Sequence, residues 1–361
     1  MTGSFRVVET GVREGRFNIA LDQAMIELHQ AGQIPDTLRF IRFPPTALIG
    51  RHQALGQEID VAHCRRNGIG IVRRITGGGA IYLDEGQLGW GLTFRRGALG
   101  VASLADVARE ICETVAAGLR RLGVEARYRP RNDIEVDGRK ISGTGGFFDG
   151  DTLIYQGTVL VDMDPAAMVA ALRVPRAKLE KRQLDSAAQR VVTLRELLGS
   201  GTPGLHDIQQ ALLEAFAARF GIEWQSAGLT AAEEELASRR HGEEIGTDEF
   251  VAEIDDPAAD GDFAIGSHSG PGGTITSYLR LEGPARRRIG QLLITGDFFV
   301  APPRVVLDLE AALRRVELAD LDTAIRQFFD GRELSAITVA PEDFRRSIQA
   351  AVDQAAIACQ T

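Results

Sequence analysis

Cysteine is scarce in this chain of 361 residues: Cys64, Cys112 and Cys359 lie far apart, with no CxxC pair and no histidine at metal-ligand spacing. That argues against a disulfide framework or a structural zinc site. Long hydrophobic runs are missing too. No stretch approaches the roughly 20 apolar residues that a spanning helix needs, and the opening segment has no apolar core behind a basic one. The expectation is a cytoplasmic, unanchored protein with no membrane partner. Positive charge is the minority, 41 Lys and Arg against 50 Asp and Glu, for a formal net charge of -9. A general nucleic-acid binder needs the reverse, because neutralising phosphates takes a net basic surface or a strong basic stripe.

What is present is a chain 44% hydrophobic and 25% charged, able to bury one large or two modest cores. Residues 17–32 place Ile19, Ala20, Met25, Ile26 and Leu28 at helical spacing and end on glycine. Strand-like runs follow over 37–50, then a short helix over 58–66, more strands to residue 94 and a helix over 103–123. Asp137-Gly138 sits between alternating strands, a hairpin signal because both turn positions want positive φ. Strands joined directly, with helices interspersed, predict an α+β fold with a mixed or antiparallel sheet flanked by helices. The stretch 229–246 turns polar and charged and reads as a linker. It divides a first domain, 1–228, from a smaller α+β domain, 247–361.

Between two strand-like runs stands VRRITGGGAIYLDEG, residues 72–86. It has neither the GxxxxGK[ST] nor the GxGxxG phosphate template. Gly77, Gly78 and Gly79 would let a ligand touch main-chain N–H groups, with the guanidinium of Arg73 or Arg74 available to a carboxylate or phosphate. A methyl group at Gly78 is then expected to push the ligand away and to change stability little. A tight loop with exposed arginines is the alternative. Lys140 follows the hairpin and precedes ISGTGG, where it would either face an anionic centre or guard a strand edge.

With these two features in order, the chain resembles the lipoate-protein ligase family of the biotin/lipoate ligase superfamily. The resemblance rests on IGRHQ (49–53), RRITGGGAIYLD (73–84), NDIEVDGRKISGTG (132–145) and QGTVLVDMD (156–164), and it spans about residues 15–220. The segment from 272 onwards looks like the small accessory domain that many of these ligases carry.

The resemblance implies a catalytic domain over 1–228 that turns lipoate or octanoate and ATP into an acyl-adenylate, with Mg²⁺. The acyl group then passes to a lysine of a lipoyl-domain acceptor: a 2-oxoacid dehydrogenase acyltransferase subunit, a glycine cleavage H protein or another lipoate-binding protein. Lys140 matches the family's catalytic lysine. Arg74, Thr76, Gly77, Gly78, Gly79, Asp133, Ser142, Gly143, Gln156, Gly157 and Thr158 match substrate or adenylate contacts, and Asp133 matches a Mg²⁺ contact, with Asn132 beside it. Ile75, Ile81, Tyr82, Trp90 and Leu92 could line an apolar tunnel or simply pack. Many relatives have His where this chain has Leu83 and Gln156, and Asn where it has Gln87, which leaves the preferred acyl chain open. The rival readings are an octanoyltransferase of the same fold and a lipoyl-domain binding protein without ATP chemistry. A transferase working through a thioester needs an activated cysteine, and none stands between Cys112 and Cys359. The basic segment 173–190, with Lys178, Lys181 and Arg182, is the expected docking surface for an acidic acceptor.

Overall fold

The structure, a computed structural model, describes residues 4–101, 103–173, 190–259, 261–283, 286–332, 335–336 and 339–358. The chain begins with β1 (Ser4–Val12), α1 (Gly15–Gln30), β2 (Thr37–Arg42), β3 (Thr46–Ile49), α2 (Leu55–Glu58) and α3 (Val61–Arg66). It continues through β4 (Gly70–Arg73), β5 (Ile81–Leu83), β6 (Gln87–Arg95), α4 (Leu104–Arg121), β7 (Arg127–Arg129), β8 (Asp133–Val136) and β9 (Arg139–Asp149). β10 (Thr152–Leu160), α5 (Pro165–Ala171), a helix Leu205–Phe220 and β11 (Glu223–Ser226) follow. Eight strands form one sheet in the order β11-β1-β2-β6-β10-β9-β8-β7. It is mixed, since β1 runs parallel to both its neighbours while β2, β6, β10 and β9 pair antiparallel. The Asp137-Gly138 turn adopts φ 49° and 79°, as the hairpin reading requires.

Side-chain alternation along β6 decides what each face of this sheet does. Leu88, Trp90, Leu92 and Phe94 join the core under α4 and the helix Leu205–Phe220. Gly89 and Gly91 instead face Ile41 on the other side, where the missing side chains leave space. That second face is covered by α1 and by a small sheet of order β4-β3-β5, through Ile19, Ile41, Leu48, Val72, Leu83, Phe147 and Ile154.

Residues 229–246, expected as a linker, hold a helix Ala231–Arg240 followed by a π-helical turn. Thr230 and Glu233 close a capping box, and Leu236 and Ala237 pack on Leu21, Ala24 and Met25 of α1. Its charges are not solvated linker charges. Glu233 takes Arg6 in a buried bidentate pair, Glu234 takes Arg13 at 2.7 Å, and Arg240 takes Glu27 at 2.7 Å. Every partner lies more than 200 positions away in the chain.

The C-terminal region forms an antiparallel sheet of β12 (Ala264–Gly270), β13 (Gly273–Glu282) and β14 (Arg288–Gly296). The helix Pro341–Ala358 lies tightly on it: a Cβ at Gly266 would meet Ala351 N at 2.0 Å. Ile275, Leu279, Leu292, Ile294, Phe344 and Ile348 make its core. The chain then sends β15 (Val300–Ala301), paired to β16 (Ser335–Ala336), back against β9.

Candidate active site

A cavity of about 290 Å³ opens between the glycine-bearing face of the large sheet and the small sheet. Three stretches distant in sequence bring expected site residues to its walls. Arg74, Thr76, Gly77, Gly78 and Gly79 form the loop between β4 and β5; Lys140 and Gly143 come from β9; Gln156, Gly157 and Thr158 come from β10. Ile19, Ile41, Phe43, Leu48, Ile81 and Leu83 make most of the remaining lining apolar. Of the proposed tunnel residues Ile81, Tyr82 and Trp90 reach the cavity, whereas Ile75 and Leu92 pack in the cores.

Lys140 enters this space beside Gly143, where the absent side chain makes room: a Cβ there would lie 2.6 Å from Nζ. Its ammonium pairs with Asp133 Oδ1 at 2.7 Å, and Arg129 holds Oδ2 of the same carboxylate at 2.7 Å. Burial works against ionisation of Asp133, but Lys140 and Arg129 outweigh it and keep the carboxyl below its ordinary range.

Arg74 is buried, and its contacts are all carbonyl oxygens: Leu48 at 3.3 Å, Gly77 at 3.1 Å and Gly79 at 2.9 Å. It braces the glycine loop from behind. Burial lowers its pKa to about 10, so it remains charged at neutral pH, and among the described residues no carboxylate neutralises it. Arg73, the other candidate for binding an anion, is fully buried and spent elsewhere. It donates to Gln53 O at 2.7 Å, Val251 O at 2.9 Å and Ile254 O at 3.0 Å, tying the 250–254 segment to the loop after β3.

Residues 14–217 match the family described as the lipoyl protein ligase A/B catalytic domain. The chain belongs to that family. It is 30% identical over 260 residues to the octanoyltransferase LipM of Kyrpidia tusciae, covering 65% of this chain and 94% of the relative. Among solved structures it resembles one from an archaeal lipoylation system of Thermoplasma acidophilum, a bi-partite lipoate protein ligase and its E2 lipoyl domain. That match has a TM-score of 0.63, 26% identity, and coverage of 70% of this chain and 97% of the other. A lipoate-protein ligase A bound with ATP matches with a TM-score of 0.60 and 26% identity over 70% of this chain and 100% of the other. P. falciparum LipL1 in complex with lipoate, at 15% identity and a TM-score of 0.70, shares the fold over 92% of this chain and 95% of its own.

In this lipoyl protein ligase A/B domain the two described cysteines are both buried. Cys112 is buried, hydrogen-bonded to Thr144 Oγ1 at 3.3 Å, and burial pushes its thiol up to about 12. Cys64 is buried against Ala171 O, its pKa raised to about 11, chiefly by burial. Neither lines the cavity, and Cys359 lies outside the described residues. Ser142 and Asp133 do not line it either. Ser142 is buried with an unpaired Oγ, and both carboxylate oxygens of Asp133 are taken by cations, so this carboxylate does not fit the Mg²⁺ contact expected of it. Asn132 reaches the cavity, but its amide is spent on Thr144 O. Among the described residues no cluster of three or more His, Cys, Asp or Glu could hold a metal ion.

Two participants escape a reading of the sequence. Asp22 lines the cavity from α1 and bonds Gln156 Nε2 at 2.6 Å; an acid within the apolar stripe of that helix was the available signal. Phe299, from the C-terminal region, fills the space over Gly78 and Gly145, where Cβ atoms would lie 2.5 and 2.3 Å from its ring. The preceding carbonyl, Phe298 O, accepts the Gly78 N–H at 3.1 Å. Part of what comes close to the glycine loop is therefore the chain's own C-terminal region.

Proposed function

We propose that the protein is an ATP-dependent lipoate-protein ligase of the cytoplasm. It activates lipoate or octanoate as the acyl-adenylate and transfers the acyl group to a lysine of a lipoyl-domain acceptor. Residues 1–228 would act as the catalytic domain and 247–361 as an accessory domain. The observation that carries this reading is the pair of cations at one apolar cavity, Lys140 at its wall and Arg74 buried behind the loop without a carboxylate partner. A buried charge without a counter-ion favours an anionic occupant, and an apolar lining favours an acyl chain.

In the first step a carboxylate oxygen bonds to the α-phosphate and pyrophosphate leaves. In the second, the acceptor amine attacks the acyl carbon and AMP leaves. The first step brings two anions together, and a preorganised ammonium is the group that lowers such a barrier. Lys140 is held for that role by Asp133, which is itself anchored by Arg129. The N–H groups of Gly77 and Gly79 are the loop donors offered to the adenylate, since that of Gly78 is bonded within the chain. The ATP-bound and lipoyl-domain-associated relatives support both the nucleotide and the acceptor.

The second reading is the cysteine-dependent transferase suggested by the LipM relative. Thiols raised to about 11 and 12 and placed outside the cavity speak against it. Replacing Cys64, Cys112 and Cys359 together by Ser or Ala should leave ATP-dependent transfer within a few-fold of wild type. Mass spectrometry of the wild-type enzyme with an acyl donor decides the alternative, because a thioester-linked acyl-enzyme would establish the transferase.

A further inference from the structure

Apart from Lys140 and the glycine loop, the largely apolar cavity holds a polar cluster around Gln156. Gln156 Nε2 donates to Asp22 Oδ2 at 2.6 Å, and Asp22 Oδ1 takes Arg39 Nη2 at 2.5 Å. Arg39, 1% exposed, also donates to Asn18 O at 3.0 Å, and its Nε and Nη1 have no partner. Burial raises the Asp22 pKa, and the facing Arg39 guanidinium opposes that shift by favouring the ionised form. A carboxylate held so can only accept, and the Gln156 amide turns its nitrogen to it. Its oxygen then faces away, and among the described residues no donor reaches it. Lys140 reaches along β9 to Gly143, and Gln156 pairs with Gly145, two residues or roughly 7 Å further on. The ammonium and the amide are thus separated along the direction an acyl chain would take.

We propose that Gln156, oriented by Asp22 and Arg39, is a specificity-determining residue that favours a medium-chain acid with a sulfur-bearing far end over one ending in a plain alkyl chain. The proposal rests on the ligase reading. An alkyl end covering this amide strips its water and returns nothing, and a polar group left in that state is penalised. Sulfur offers a return in both of its forms. A ring sulfur accepts weakly from the second N–H of Nε2, and a free thiol donates to Oε1. Asp22 and Arg39 act through Gln156 and are positioning residues.

The test is binding of octanoate, lipoate and dihydrolipoate to the full chain by calorimetry, without ATP, for wild type, Gln156→Leu, Gln156→Met and Asp22→Asn. The wild-type protein should prefer the sulfur-bearing acids. Each Gln156 variant should shrink that preference about tenfold. Asp22→Asn, which frees the amide to turn over, should shrink it while Gln156 is intact. A larger gain for the dithiol assigns the contact to Oε1, and a larger gain for the ring form assigns it to Nε2; either supports the proposal. A preference unchanged within twofold in a folded Gln156 variant overturns it. If the wild-type protein binds none of the three acids, the ligase reading fails instead.

Discussion

His52 lies in the IGRHQ stretch that contributes to the family resemblance, yet its work is at the contact between the two parts of the chain. Its ring stacks on Phe298 with centroids 5.0 Å apart and an 11° interplanar angle, and its carbonyl accepts Gly296 N–H at 3.0 Å. Burial, then the charges of Arg51 and Arg73, lower its pKa from 6.5 to about 3, and Nε2 has no hydrogen-bond partner. Between those two values the unfolded chain binds a proton that the folded chain refuses. Stability from this residue is therefore complete above about pH 6.5 and falls as the pH drops toward 3, by about 1.4 kcal/mol per pH unit. His52→Phe keeps the stack and removes the proton. Urea midpoints at pH 7 and pH 5 should fall less for this variant than for wild type; an equal fall would contradict the argument. Residue identity alone said little of this. Arg73 is a parallel case: in sequence it looks as free to bind an anion as Arg74, and only the fold reveals that carbonyls of residues 53, 251 and 254 consume it.

At the scale of the element, the glycine loop serves two neighbours at once. Gly78 has φ +94°, a conformation that side chains rarely adopt, and a Cβ there would lie 2.5 Å from the Phe299 ring. The expectation that a methyl group would disturb only a ligand is therefore replaced. Gly78→Ala should cost about 1–3 kcal/mol through backbone strain, with a further loss from the ring. Adding Phe299→Ala should recover the steric share and leave the φ share. Thermal melts of the single and double variants check this, and a Gly78→Ala protein that melts like wild type would refute it. The strands around the loop were legible because alternation and the Asp137-Gly138 turn are local signals. The helix Ala231–Arg240 was not. Its charged residues look like a linker until Arg6, Arg13 and Glu27 are brought to them by the fold.

Across the whole molecule, the convergence of the glycine loop, Lys140 and the β10 strand at one cavity follows from motifs that can be read in order along the chain. The polar station of Asp22, Arg39 and Gln156 and the intrusion of Phe299 depend on contacts between distant segments, and no periodicity announces such contacts. Lys178, Lys181 and Arg182, of the basic segment expected to meet the acceptor, lie outside the described residues. Among the described residues no helix is long and apolar enough to cross a membrane. The central claim is that this cavity makes an acyl-adenylate by itself, and the most direct measurement is pyrophosphate release from ATP and lipoate with no acceptor protein present. Lipoate-dependent release by the wild-type enzyme, reduced about 10²–10³-fold in a folded Lys140→Ala variant, is the predicted result. No lipoate-dependent release from the wild type, or full release from Lys140→Ala, would contradict it.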